Sequence, residues 1–184
     1  MHKQLFEMSS KNNWNEQKKS IPEDLITTKK KVFDLCGLEC TTPIAETESS
    51  DYNAFRFRLN KKHICYRMAK ITPTKTGQFV TVWKRNISGI IEPFDFSDEI
   101  DFVIISVKKN DLSGQFVFPK AVLLQKGIFS TAAKEGKRAT RVYPPWDETT
   151  SKQAQKTQQW QLEYFYEITP NLDLNAFKKF IAKF

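Results

Sequence analysis

The sequence predicts a single α/β domain in which a run of strands is covered by helices. Three observations carry that prediction. The chain has 184 residues, a length at which one hydrophobic core usually suffices. From Phe55 to Phe118 the apolar residues alternate or form short continuous runs, which is strand patterning. On either side of that stretch, apolar residues fall at helical spacing behind start signals.

The elements follow in order. Residues 1–19 are polar and without a clear period, so they read as a loosely attached arm, with Leu5, Phe6 and Trp14 as side chains able to pin it to a domain of residues 20–184. Ser20-Ile21-Pro22-Glu23 announces a helix, with Ser20 as N-cap, Pro22 in the first turn and Glu23 completing a capping box. Leu25, Ile26, Val32, Phe33 and Leu35 form its apolar face, Lys29 to Lys31 its wet one, and Gly37 stops it. After a connection at residues 38–51, Phe55-Arg56-Phe57-Arg58-Leu59 alternates strictly and sends the two arginines outward. Ile64–Ile71 and Gln78–Arg85 read as two more strands around a turn-rich tip, Thr72 to Gly77. Ile100–Val107 is a near-continuous apolar run, the mark of a strand buried on both faces. Asn110 to Gly114 turns the chain into Gln115–Phe118, which Pro119 ends. Such a series predicts a meander with helices laid against it. Gly127–Glu148 is loop-like but holds Val142, Tyr143 and Trp146, so it reads as ordered and functional. Thr149 to Phe165 reads as a helix, and Pro170-Asn171 introduce a terminal helix carrying Leu174, Phe177 and Ile181.

Composition narrows the class. A 40% hydrophobic content with 15 Phe and 4 Trp excludes a largely disordered chain. No apolar stretch approaches the ~20 residues of a spanning helix, and the first residues lack the apolar segment of a secretory signal. Three cysteines, an odd number, fit a reducing compartment, so the expectation is a cytoplasmic protein that engages no membrane. Twenty-nine Lys and Arg against 21 Asp and Glu leave a net charge of +8, which favours a polyanionic partner, DNA or RNA. The charge is segregated. Tyr52 to Ile91 holds no acid but nine cations (Arg56, Arg58, Lys61, Lys62, Arg67, Lys70, Lys75, Lys84, Arg85), whereas Glu92 to Asp111 holds six acids against Lys108 and Lys109.

Three constellations suit nucleic acid, since phosphates want Lys and Arg while bases want flat rings. The first is Arg67 and Lys70, the Lys75 tip, and Trp83-Lys84-Arg85. In one regular strand Arg67 would share a face with Ala69 and Ile71, and Lys70 with Tyr66 and Met68, so only part of this set converges. The second runs from Lys134 to Asp147, where Gly136 frees the backbone beside Lys137, Arg138 and Arg141, and Tyr143 and Trp146 flank Pro144-Pro145. That is either a phosphate-gripping loop with an aromatic wall, or a structural loop whose Trp146 plugs the core and whose Asp147 caps the next helix. The third is Lys156 and Trp160, four apart on one helix face, amid the amides of Gln158, Gln159 and Gln161, which suits either contacts to bases or a merely polar helix surface.

Catalytic signatures are sparse. No nucleophile elbow, P-loop or dinucleotide fingerprint occurs. Cys36, Cys40, His63 and Cys65 match no common zinc spacing and read as core material. A Mg²⁺-dependent nuclease would draw on Glu48, Asp101 and Lys120, but where a strand-borne Asp/Glu-x-Lys is wanted the sequence has Gln115-Phe116-Val117.

Arg67 to Arg85 resembles the central signature of the MepB family, and Gly114–Lys120, Gly136–Asp147 and Lys156–Gln161 resemble its later blocks, together spanning roughly Tyr52 to Phe165. The resemblance implies a bacterial cytoplasmic protein with a mixed, mostly antiparallel sheet flanked by helices, similar to restriction endonucleases and tRNA-splicing endonucleases, and it implies nucleic-acid binding. The expectation is therefore a nucleic-acid binder without nuclease activity and without a cofactor. A Mg²⁺-dependent nuclease, and a binder of a nucleotide or other small anion held by the Arg138/Arg141 loop and Trp146, are the competing readings.

Overall fold

The apolar run after Ile100 becomes the central strand of the protein. A computed structural model describes Trp14 and residues 21–184. The rest of the predicted arm and the Ser20 cap lie outside the described residues. Among the described residues, a six-stranded sheet has the order β1 (Ile44–Ala45), β2 (Phe55–Leu59), β3 (Lys62–Met68), β8 (Phe102–Lys109), β9 (Leu112–Pro119) and β11 (Phe165–Glu167). All its pairs are antiparallel except β3 with β8. That parallel pair corrects the simple meander. Parallel neighbours need a long crossover, and residues 69–101 supply it. They carry β4 (Lys70–Thr72), β5 (Lys75–Thr81), β6 (Trp83–Arg85) and β7 (Ile91–Pro93). These strands leave the main sheet: β5 lies between β4 and β10 (Ala139–Val142) in a second sheet, and β6 pairs with β7.

Two predicted strands are thus each broken in two. Ile64–Ile71 breaks at Ala69, whose N–H still donates to Ser106 O on β8 (2.9 Å), and Gln78–Arg85 breaks at Val82, whose N–H donates to Arg138 O (2.9 Å). At each break the chain leaves one sheet for another, which separates Arg67 on β3 from Lys70 on β4 and Lys75 on β5 from Lys84 on β6.

Alternation along β8 builds two cores. Phe102 and Ile104 face Phe55, Phe57, Leu59, Ile64, Tyr66 and Val117, roofed by α1 (Glu23–Thr28, continued as a π-helical turn to Phe33) and α4 (Leu174–Lys183). Trp14 is buried in this same layer. Val103, Ile105 and Val107 face the other way, with Cys65, Phe116 and Phe118, beneath Val80, Val82, Val142 and Leu123 of α2 (Lys120–Gln125). Each such side chain taken from water contributes about 1.5–3 kcal/mol. In the first core Gln115 Nε2 donates to Thr28 Oγ1 (2.9 Å) and Ser106 Oγ (2.8 Å), and Tyr66 Oη donates to Ser106 Oγ (2.9 Å).

Several boundaries move. Pro22, predicted inside the first turn, is the residue that precedes α1, while Gly37 (φ +66°) ends the segment as read. α3 (Lys152–Leu162) is capped by Ser151, which accepts from Ala154 N–H (3.1 Å), not by Asp147. It stops before Phe165, which joins β11 beside Phe116. Among the described residues no helix is long and apolar enough to cross a membrane.

Candidate nucleic-acid interface

The small sheet turns Gln78, Val80, Val82 and Val142 into the second core, so their neighbours along the strands project to its outer face. Cross-strand register then lines up Lys70, Phe79 and Arg141 in one row. A 3-10 turn at Ser50–Tyr52, bracketed by left-handed Ser49 (φ 58°) and Asn53 (φ 46°), lays Tyr52 beside that row. Lys70 Nζ sits 4.9 Å from the Tyr52 ring centre, Tyr52 lies 6.1 Å from Phe79, and the Arg141 guanidinium lies 5.7 Å from Phe79 on its far side. Two neighbouring rings are therefore flanked by a cation on each side. Arg141 is aimed by its own bonds, donating from Nη1 to Gly77 O (2.8 Å) and from Nη2 to Thr72 Oγ1 (2.8 Å). Among the described residues, Lys70, Lys75 and Arg141 have no carboxylate partner.

The second constellation packs against the first, because β10 pairs along β5. The third holds the second in place. Gln161, fully buried, donates from Nε2 to Arg141 O (2.9 Å) and accepts the Tyr143 N–H on Oε1 (2.9 Å). Gln158 Nε2 donates to Pro144 O (3.0 Å) and Asp147 O (2.9 Å). These amides, read as possible base contacts, are the clamp on the Tyr143–Asp147 loop. Tyr143 lies on Gly77, whose φ of +82° and missing Cβ permit the approach, since a Cβ there would fall 2.5 Å from the ring. Beyond Gly77 a cleft of about 440 Å³ opens between the hairpin tip, Lys109 and the Trp146–Thr150 turn. Trp146 serves both readings, since it is half-buried, packs edge-on against Phe165 at 5.5 Å and also lines this cleft. Lys156 and Trp160 line a separate groove with Lys152, and the Trp160 ring packs on Phe118 (5.4 Å) beneath Lys126 (5.2 Å).

Other predicted cations are engaged elsewhere. Arg67 is the main correction: it is fully buried, with Nη1 donating to Glu46 and to Tyr66 O (2.8 Å), because it belongs to β3 before the break. Arg56, expected to face out, is half-buried on the same Glu46 (2.7 Å). Lys84 lies between Asp95 (2.7 Å), Asp98 (2.8 Å) and Glu92 (3.6 Å). Burial lowers its pKa, but the hydrogen bonds to Asp95 and Asp98 outweigh that and raise it. Burial likewise pushes the Asp95 carboxyl up, yet hydrogen bonds from Lys84 and Ser97 prevail and hold it at about 2. Arg85 pairs with Glu48 (2.9 Å) and stands 5.4 Å from the half-buried Trp83 ring. Arg138 pairs with Glu135 (2.8 Å), whereas Lys137 is exposed beside it.

The nuclease candidates do not form a metal site. Asp101 Oδ2 accepts the His63 N–H (2.7 Å), Lys120 Nζ donates to Asp98 O (2.5 Å), and Glu48 is held by Arg85. Gln115 lies on the opposite sheet face, in the α1 core. Among the described residues no three His, Cys, Asp or Glu side chains gather as metal ligands, and that includes Cys36, Cys40, His63 and Cys65. Mg²⁺ therefore does not fit the residues proposed for it.

The sequence reading misses Tyr52, Phe79 and Lys109. Phe79 was legible, since alternation with Val80 and Val82 sends it to the face of Lys70. Tyr52 and Lys109 come from a turn and a strand end, and tertiary packing alone brings them to the site.

Residues 46–167, more than half of the chain, match the MepB-like family. The crystal structure of MepB is 34% identical, with a TM-score of 0.69, and the match covers 79% of this chain and 97% of that one. The bacterial homing endonuclease I-Ssp6803I aligns at 12% identity and a TM-score of 0.45, over 83% of this chain and 94% of that chain, a level that fixes neither fold nor function. No curated protein matches the chain.

Proposed function

The chain belongs to the MepB-like family, and from that premise we propose that it binds nucleic acid, DNA or RNA, through the outer face of its small sheet without cutting it. The observation that carries the reading is the row of Lys70, Tyr52, Phe79 and Arg141, in which two neighbouring aromatic rings are flanked by cations without carboxylate partners. Lysine neutralises phosphate and releases counterions, while rings offer stacking surface to any base. Lys75, Lys137, Lys156 and Trp160 extend the contact beyond the row. The endonuclease-like scaffold belongs to this proposal, as does its catalytic silence. Support for silence lies in Asp101 and Lys120, whose polar atoms serve backbone partners. Three cysteines without disulfide partners, Cys36, Cys40 and Cys65, suit the proposed cytoplasmic setting.

Anisotropy of a labelled oligonucleotide tests the reading. Wild type should bind, and a folded Lys70→Ala/Lys75→Ala variant should lose affinity by about tenfold or more at low salt. No binding by wild type, or unchanged binding by the variant, overturns it. The oligonucleotide should stay intact in Mg²⁺. Cutting that disappears in Asp101→Asn would instead establish a nuclease.

A further inference from the structure

Apart from Lys75 on its lining, the cleft at the hairpin tip takes no part in the phosphate contacts above. We infer that it is a subsite for one unpaired nucleobase, so that the protein prefers nucleic acid carrying an unpaired nucleotide to a fully paired duplex. This inference rests on the binding reading and names the substrate class that reading leaves open.

Position, size and chemistry support it. Arg141, in the cation row, donates to Gly77 O at 2.8 Å, so a strand held along the row passes the mouth of the cleft. Its volume of about 440 Å³ lies within the range of about 300–1,000 Å³ typical of small-ligand pockets. Two apolar walls are present, the Trp146 indole and Ile71, which is 58% exposed. An extruded base is held in this way, stacked between apolar or aromatic groups and read along its hydrogen-bonding edge.

The charges sort what can enter. Lys75 and Lys109 supply cations for flanking phosphates, but Asp147 and Glu148 also line the cleft. Asp147 is 9% exposed and has one carboxylate contact, Lys109 at 3.4 Å. Carboxylates repel a phosphate and accept from an amino group, so the cleft suits the base rather than the backbone. Adenine, cytosine and guanine carry such a group, whereas thymine and uracil do not. The loop is also set in advance, because Gln158 and Gln161 already bind Pro144, Asp147, Arg141 and Tyr143, which lowers the ordering cost of binding.

The test compares three duplexes of one sequence with the full chain: fully paired, with one bulged adenine, and with one bulged abasic residue. The adenine bulge should bind about five- to a hundredfold tighter than the paired duplex, the gain expected of one stacked base. Ile71→Ser and Asp147→Asn should each erase most of that advantage while leaving paired-duplex affinity in place, and Ile71→Ser serves alone should Asp147→Asn fail to fold. A bulged 2-aminopurine should be quenched on binding. Equal affinity for paired and adenine-bulged duplexes would overturn the subsite while the binding reading stands. An abasic bulge bound as tightly as adenine would overturn it too, since flexibility alone would then explain the preference. Failure to bind any of the three would overturn the binding reading and the subsite with it.

Discussion

Lys84 and Lys70 come from the same acid-free stretch of sequence and end in opposite circumstances. Lys84 is ringed by Glu92, Asp95 and Asp98, whereas Lys70 lies against the Tyr52 ring with no carboxylate partner among the described residues. The contrast extends to their neighbours. Arg56 and Arg67 share Glu46, and Arg85 takes Glu48, while Lys75 and Arg141 are left to the outer face. Acids on both sides of the basic stretch, Glu46 and Glu48 before it and Glu92, Asp95 and Asp98 after it, thus return in space as counter-ions for the inner cations. Part of the charge segregation cancels on folding. Of the cations in that stretch left without a carboxylate partner among the described residues, Lys70 and Lys75 lie on the small sheet and Arg58, Lys61 and Lys62 on the β2–β3 hairpin.

The inner region can be broken most severely at Glu46. Glu46→Gln removes the counter-ion of a fully buried guanidinium, and such a loss costs about 3–5 kcal/mol of stability. Urea unfolding should show the midpoint falling accordingly, while any variant that still folds should keep its oligonucleotide affinity. The outer region is broken more gently at its clamp. Gln161→Leu strands the Tyr143 N–H and Arg141 O and should cost about 1–3 kcal/mol. Unlike Glu46→Gln, it should also weaken binding, because Arg141 and the cleft loosen together.

The smallest effect expected is in the pH dependence of Asp95. Its carboxyl is held at about 2 in the folded protein against an ordinary 3.8, so the unfolded chain binds more protons at this site. The stabilisation is complete above the ordinary value and is lost as pH falls towards 2. Melting temperature measured from pH 5 to pH 2 should fall less steeply in Asp95→Asn than in wild type. Parallel curves would show that Asp95 is not paired with Lys84 as described.

Much of this architecture was legible in the residues. Strict alternation at Phe55–Leu59 and the apolar run before Val107 identified two strands and both core layers, because a half-buried strand and a fully buried one leave different patterns. Gly37 marked a real stop. The strand breaks at Ala69 and Val82 were not legible, since neither residue is a Gly or a Pro and the alternation reads on through them. Arg67 was read as a phosphate contact from its residue type, whereas its strand lies between β2 and β8 and turns it onto Glu46. The clamping role of Gln158 and Gln161 was not legible, because a helix-surface glutamine and a loop clamp look alike until the loop is in place.

The central claim, that outer cations meet phosphate and inner ones do not, is tested most directly by the slope of log Kobs against log salt concentration. Three proteins suffice: wild type, Lys70→Ala/Lys75→Ala and Lys84→Gln. The outer double variant should flatten the slope by about 0.7–0.9 for each lysine that contacts phosphate, and Lys84→Gln should leave it unchanged. A slope that flattens as much for Lys84→Gln as for the double variant, or that the double variant leaves unaltered, would contradict the account.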